Sequence, residues 1–133
     1  MKTNKLSFWA IVAIGTAVLL AVTTVNGLKS PAVLRRLDRI QVKGISQPTW
    51  VYESLGHHTS ATFPKLAAVV KAYEAGLGCY QRRDWQGGLS CFSEALDLAP
   101  NDRPSRIFLN RCRYYQTNPP DEAWNGVWVM QEK

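Results

Sequence analysis

An α+β fold is predicted for this sequence of 133 residues by three observations. Apolar and polar residues alternate with period two across residues 37–43, a cluster of Gly, Ser and Pro follows, and apolar residues then recur at spacings of three and four across residues 63–117. In order, the chain reads as an apolar segment (1–28), a β-hairpin (29–55), a linker (56–62), a three-helix bundle (63–117) and a tryptophan-rich tail (118–133). With 46% apolar and 20% charged residues the chain is globular rather than disordered, and its length excludes a large multidomain enzyme. The net charge of +6 sits in the first half: residues 1–62 carry seven cations and two anions, residues 63–133 nine and eight. Cys79, Cys91 and Cys112 fall at no metal-ligand spacing and inside apolar helical patterns, so they read as small buried thiols in a reducing compartment.

The apolar segment admits three readings. No side chain from Leu6 to Leu28 is charged, and at about 1.5 Å per residue that run reaches roughly 34 Å, enough to cross a hydrocarbon core. As an anchor in the inner membrane it would leave the carboxyl half in the cytoplasm, because Lys29, Arg35, Arg36, Arg39 and Lys43 outnumber Lys2 and Lys5. A cleaved signal peptide ranks below the anchor, since no Ala-x-Ala pattern follows at a suitable distance. The third reading is a buried strand, favoured by the many β-branched residues of IGTAVLLAVTTV. Periodicity alone does not separate them.

In Leu37–Lys43, Ile40 and Val42 fall on one face while Arg39, Gln41 and Lys43 fall on the other, the pattern of a half-buried strand. Gly44, Ser46 and Pro48 break it, and Thr49-Trp50-Val51-Tyr52-Glu53 resumes with residues suited to a pleated surface. So short a connection makes an antiparallel hairpin the natural pairing, and a two-stranded hairpin needs further strands or helices to be stable. The run LDRIQVKGISQPTWVYESL closely resembles the terminal hairpin of the catalytic domain of bacterial class III adenylate cyclases. Upstream, TAVLLAVTTVNGLKSPAVLRR looks like the strand and short helix that precede that hairpin, which favours the buried-strand reading of residues 16–25. The resemblance implies that Lys43 approaches the nucleotide's phosphates. An ammonium beside a glycine is suited to that work, whereas read without the family Lys43 is a solvated strand lysine. Ile45 stands where the family usually has a second lysine, and Gln47 where it often has an acid.

The helical half follows its own signals. Thr62 with Pro64 is placed to open the first helix, whose stripe is Leu66, Val69, Val70, Tyr73, Leu77 and Tyr80. After Arg82-Arg83-Asp84, a second stripe runs Trp85, Gly88, Leu89, Phe92, Ala95, Leu96 and Ala99, ended by Pro100. Asp102 caps the third helix, with Pro104 in its first turn and Ile107, Phe108, Cys112 and Tyr115 on one side. Gly76, Tyr80, Asp84-Trp85, Gly88, Phe92, Ala95 and Pro100 resemble one tetratricopeptide repeat, and an ordinary helical hairpin fits the same residues. Many bacterial class III cyclases carry a similar helical tail, and the end of this chain, with its tryptophans, looks like theirs. Trp124 and Trp128 are expected to pack back on the helices or on a partner. Gly76-Leu77-Gly78 reads as helix packing rather than a dinucleotide loop, and His57-His58 as a solvated loop pair rather than a metal site. Arg103, Arg106, Arg111 and Arg113 give the third helix a positive side, but nearby Glu94, Asp97 and Asp102 argue against nucleic acid as a partner.

The resemblance sets the functional expectation. Cyclising ATP to cyclic AMP and pyrophosphate requires two metal-holding carboxylates and donors for the transition state, and the parent family uses magnesium or manganese. Before residue 74 this chain offers only Asp38 and Glu53, so the reading is a truncated cyclase remnant in cyclic-nucleotide signalling, inactive by itself, without catalytic, metal or cofactor residues of its own. The rival reading is a small adaptor anchored through residues 6–28, displaying its helical unit or Trp124 and Trp128 to a protein partner. Both place the working part on the cytoplasmic side.

Overall fold

The computed structural model describes residues 18–21, 34–41, 44, 46–56 and 58–128. Among these residues lie strands β1 (Val18–Ala21), β2 (Leu34–Ile40) and β3 (Thr49–Ser54), then helices α1 (Leu66–Gln81), α2 (Trp85–Leu98) and α3 (Arg103–Thr117), an α+β order. They form two compact units: the described residues of Met1–His57 with those of Trp124–Lys133, and His58–Ala123.

The first unit is built on a three-stranded antiparallel sheet in the order β1-β3-β2. The hairpin is therefore part of a larger sheet, and β1 takes up Val18–Ala21 of the apolar run. Among the described residues no helix is long and apolar enough to cross a membrane. The β2 strand begins three residues earlier than the alternation predicts and ends at Ile40, with Val42 and Lys43 outside the described residues. The reason is a bulge. Arg36 pairs with Tyr52 and Asp38 with Val51, so Leu37 is an extra residue with no partner of its own. A bulge resets the inside-outside alternation, and the buried set becomes Arg35, Leu37 and Asp38 on β2 facing Glu53 and Val51 on β3. Leu55 and Val127 complete this buried set.

The second unit is a stack of helices, α1 on α2 and α2 on α3. Thr62 does not open α1. Its hydroxyl accepts from the Thr59 amide at 2.7 Å, and the Thr62 and Phe63 amides both donate to Thr59 O, closing a separate turn before Pro64. The helix starts instead after Lys65, which takes a left-handed backbone (φ 60°) with no side-chain cap. The later caps are local and sequence-encoded: Asp84 Oδ1 accepts from the Gly87 amide at 2.9 Å, and Asp102 Oδ2 from the Ser105 amide and hydroxyl at 3.4 and 2.5 Å. Ala99 closes α2 ahead of Pro100, and Pro104 lies in the first turn of α3, where its missing amide proton is not needed.

The predicted stripes form the core. Val69, Tyr73, Leu77 and Tyr80 from α1 meet Phe92 and Ala95 from α2 and Phe108, Cys112 and Tyr115 from α3, all buried. Tyr73 sets its edge against Phe92 and Phe108 at 5.7 and 6.0 Å, and Phe92 stacks on Phe108 at 5.6 Å. Such ring pairs are worth about 0.5–1.5 kcal/mol each beyond burial, so this cluster is a main source of cohesion between the helices. Gly76 is required by packing: a Cβ there would stand 2.7 Å from two ring atoms of Phe92. Arg111 departs from the expected positive side, because its guanidinium is buried with its carbon 4.8 Å from the Phe108 ring centroid, a cation–π contact.

Candidate functional site

The hairpin carries the residues singled out for phosphate chemistry, and its geometry separates an inner from an outer face. On the inner face Arg35 and Glu53 are directly opposed across β2 and β3. Arg35 Nε and Nη2 both donate to Glu53 Oε2, at 3.0 and 2.7 Å, with both side chains almost wholly removed from solvent. A pair this buried owes its stability to tight geometry, since desolvation opposes the Coulombic attraction. Asp38 is buried two pairs further along, and its Oδ1 accepts from the Arg39 amide at 2.9 Å. Both carboxylates of the hairpin are thus engaged within the sheet. Among the described residues no group of three His, Cys, Asp or Glu is arranged to hold a metal ion.

The outer face is cationic and half-buried. The Arg36 guanidinium carbon lies 5.0 Å from the Trp50 ring centroid, and Arg39 Nη1 donates to the Asn125 carbonyl at 2.7 Å. Gly126 holds a left-handed backbone (φ 90°) beside the Arg39 side chain, and Trp124 Nε1 donates to Val127 O at 2.9 Å, so a tight turn anchors this stretch. The described residues Trp124 to Trp128 therefore cluster with the strands, whereas packing on the helices or on a partner was expected of them. Trp124 and Trp128 are half-buried.

Gly44 has φ 86° with open space around it, so the turn demands its backbone freedom and not its small size. Lys43 and Ile45, which flank it, lie outside the described residues, as does His57. His58 sets its ring edge-on to Phe63 at 5.2 Å. Gly76-Leu77-Gly78 is interior to α1 and packs against α2 through Gly76, a helix contact as expected. Arg103, Arg106 and Arg113 are exposed on α3.

The Arg35–Glu53 pair was not legible in the alternation. Continuing the register of Ile40↔Thr49 and Asp38↔Val51 without the bulge would set Arg36, not Arg35, opposite Glu53. The available signal was compositional: two consecutive arginines opposite the one acid of β3.

Comparison with known proteins gives one finding that bears on this site. The chain is 29% identical over 80 residues to the terminal-differentiation-specific adenylate cyclase of Dictyostelium discoideum, a match covering 60% of this chain and 4% of that protein. The chain thus spans about 4% of the length of the curated relative it matches. No family model matches the chain, and no solved structure does. The likeness is a distant relationship to an adenylate cyclase.

Proposed function

We propose that this chain supplies the terminal hairpin and helical tail of a class III cyclase of the bacterial type, whose parent reaction is ATP to cyclic AMP and pyrophosphate. The identity to an adenylate cyclase carries the reading. The three-stranded antiparallel sheet and the left-handed backbone of Gly44, which follows Lys43 in the sequence, support it. In this reading Lys43 offsets phosphate charge, while Arg36 and Arg39 of β2 are committed to Trp50 and Asn125. Glu53 is bonded across the sheet to Arg35 and Asp38 to the amide of Arg39; in this reading neither carboxylate serves a metal, so the chain alone does not cyclise ATP. The helical unit is tetratricopeptide-like: Gly76 against Phe92 and Gly88 against Cys112 are close approaches of the kind that repeat uses. Handling ATP places this work on the cytoplasmic side.

Two measurements test the proposal. Purified chain incubated with manganese and ATP gives no cyclic AMP above a buffer blank, and reproducible product overturns the inactivity. Grafting residues 34–55 in place of the terminal hairpin of an active bacterial class III cyclase retains cyclic AMP synthesis, and Lys43→Ala in that chimera lowers it at least tenfold. A folded chimera whose activity is indifferent to Lys43→Ala removes the phosphate role, and a folded but inactive chimera removes the correspondence itself.

A further inference from the structure

The bulge at Leu37 does more than bury Arg35. Residues three apart on a regular strand fall on opposite faces, yet Arg36 stands opposite Tyr52 and Arg39 opposite Trp50. Those two aromatics are two apart on β3 and share a face, so the extra residue sets two guanidiniums on one side of the sheet, opposite positions about 7 Å apart. The carboxylates of the strands are buried, Glu53 bonded to Arg35 and Asp38 to the Arg39 amide. On the outer face the Arg36 guanidinium carbon lies 5.0 Å from the Trp50 ring centroid, and Arg39 Nη1 donates to the Asn125 carbonyl at 2.7 Å.

Arg35 and Arg39 are used very differently. Arg35 gives both Nε and Nη2 to a carboxylate oxygen, whereas Arg39 gives one N–H to a neutral carbonyl and its Nε is buried with no acceptor among the described residues. An N–H stripped of water and left without an acceptor costs free energy, so the Asn125 bond holds this guanidinium in an orientation that satisfies it only in part. The turn that holds it is closed by its own bonds. Gly126 has φ 90°, Trp124 Nε1 donates to Val127 O at 2.9 Å, and the Val127 amide donates to Asn125 Oδ1 at 3.2 Å.

We infer that Arg36 and Arg39 form a site for the terminal phosphate of a small molecule, and that the turn 124–128 is a latch that occupies Arg39 until phosphate displaces it. A terminal phosphate carries close to two negative charges, which two guanidiniums match, and its oxygens accept from the Nε–Nη2 fork that a carbonyl cannot fill. Contact with the Trp50 ring engages the face of a guanidinium while an oxyanion takes its edge, so Arg36 serves both. The pair is compact and half-buried, which suits an end group better than a run of phosphodiesters. Latch and ligand compete for Arg39, so loosening one tightens the other. The site needs nothing from Lys43 and stands apart from the cyclase reading.

The test titrates the full chain with inorganic pyrophosphate by calorimetry and follows amide hydrogen exchange of residues 124–128. Saturable binding is expected, with faster exchange at the Val127 amide in the bound state. Arg39→Gln lowers the affinity at least tenfold and Arg39→Lys does not restore it, because the charge returns without the fork. Gly126→Val, whose side chain disfavours φ 90°, tightens binding several-fold, and Lys43→Ala leaves it unchanged. Equal affinity for ATP assigns the site to the phosphate end alone, and tighter ATP binding assigns it to nucleotides. Absence of binding at millimolar pyrophosphate, affinity indifferent to Arg39→Gln, binding that leaves Val127 exchange unchanged, or equal binding of an oligonucleotide without terminal phosphate overturns the site. Exchange in the unsubstituted chain decides the latch even where Gly126→Val misfolds.

Discussion

At the scale of single residues, the least expected feature is an ion pair removed from water in so small a sheet. Breaking one partner leaves the other charge buried, so Arg35→Ala or Glu53→Ala is expected to cost about 3–5 kcal/mol, read by urea denaturation followed by tryptophan fluorescence. Replacing both with apolar residues of similar volume, as in Arg35→Met with Glu53→Leu, is expected to recover most of that loss, because the cost lies in the orphaned charge. A second residue-scale effect belongs to Cys112. Burial first, then the neighbouring Cys79 and Asp84, pushes its thiol from an ordinary 9.0 up to about 12, with Arg111 pulling the other way. Between those values the folded chain holds a proton that the unfolded chain releases, so stability falls as pH rises from 9 to about 12. Cys112→Ala, followed by thermal unfolding at a series of pH values in reductant, is expected to show a shallower decline than the unsubstituted chain. These two features differ in how they announce themselves. Cys112 stood in an apolar helical stripe and was legible as a buried thiol. Arg111, next to it, read as solvated because a guanidinium on a ring face leaves no signature in spacing.

At the scale of elements, legibility followed how local the determinants are. The starts of α2 and α3 are set by Asp84 and Asp102, each bonding to an amide three residues on, and a reader of the sequence can find both. The start of α1 was misplaced because Thr62 turns back to Thr59, a competition between two local bonds that composition does not rank. The strand bounds were blurred for a different reason: the bulge at Leu37 is a property of the pair β2–β3, not of either strand alone. Helix crossings, by contrast, were readable from glycine spacing, and they are sensitive to it. Gly76→Ala would press a methyl group onto the buried Phe92 ring at 2.7 Å, and the expected loss is about 1–3 kcal/mol, measured by circular dichroism during urea unfolding. A full-strength native transition in that variant would mean the ring can yield.

At the scale of the molecule, the two units are each closed by contacts far apart in sequence. In the helical unit Arg83, in a left-handed turn (φ 63°) between α1 and α2, donates to the carbonyls of Pro120, Asp121 and Glu122 at 3.2, 2.6 and 3.2 Å. One guanidinium therefore tethers the segment that follows α3. Arg83→Ala is expected to speed cleavage after Glu122 by a glutamate-specific protease several-fold, with little change in helix content. Unchanged cleavage would mean the tether does not restrain the segment. None of this was visible in sequence, where Arg82-Arg83-Asp84 read only as a polar break. The sheet has a comparable dependence. Val51 and Tyr52 of β3 are each flanked on both sides, by Ala21 and Leu20 of β1 and by Asp38 and Arg36 of β2. Damage to either outer ribbon forfeits a single seam, whereas loss of β3 forfeits both, so tolerance to mutation should be lowest in the six residues everything else leans on.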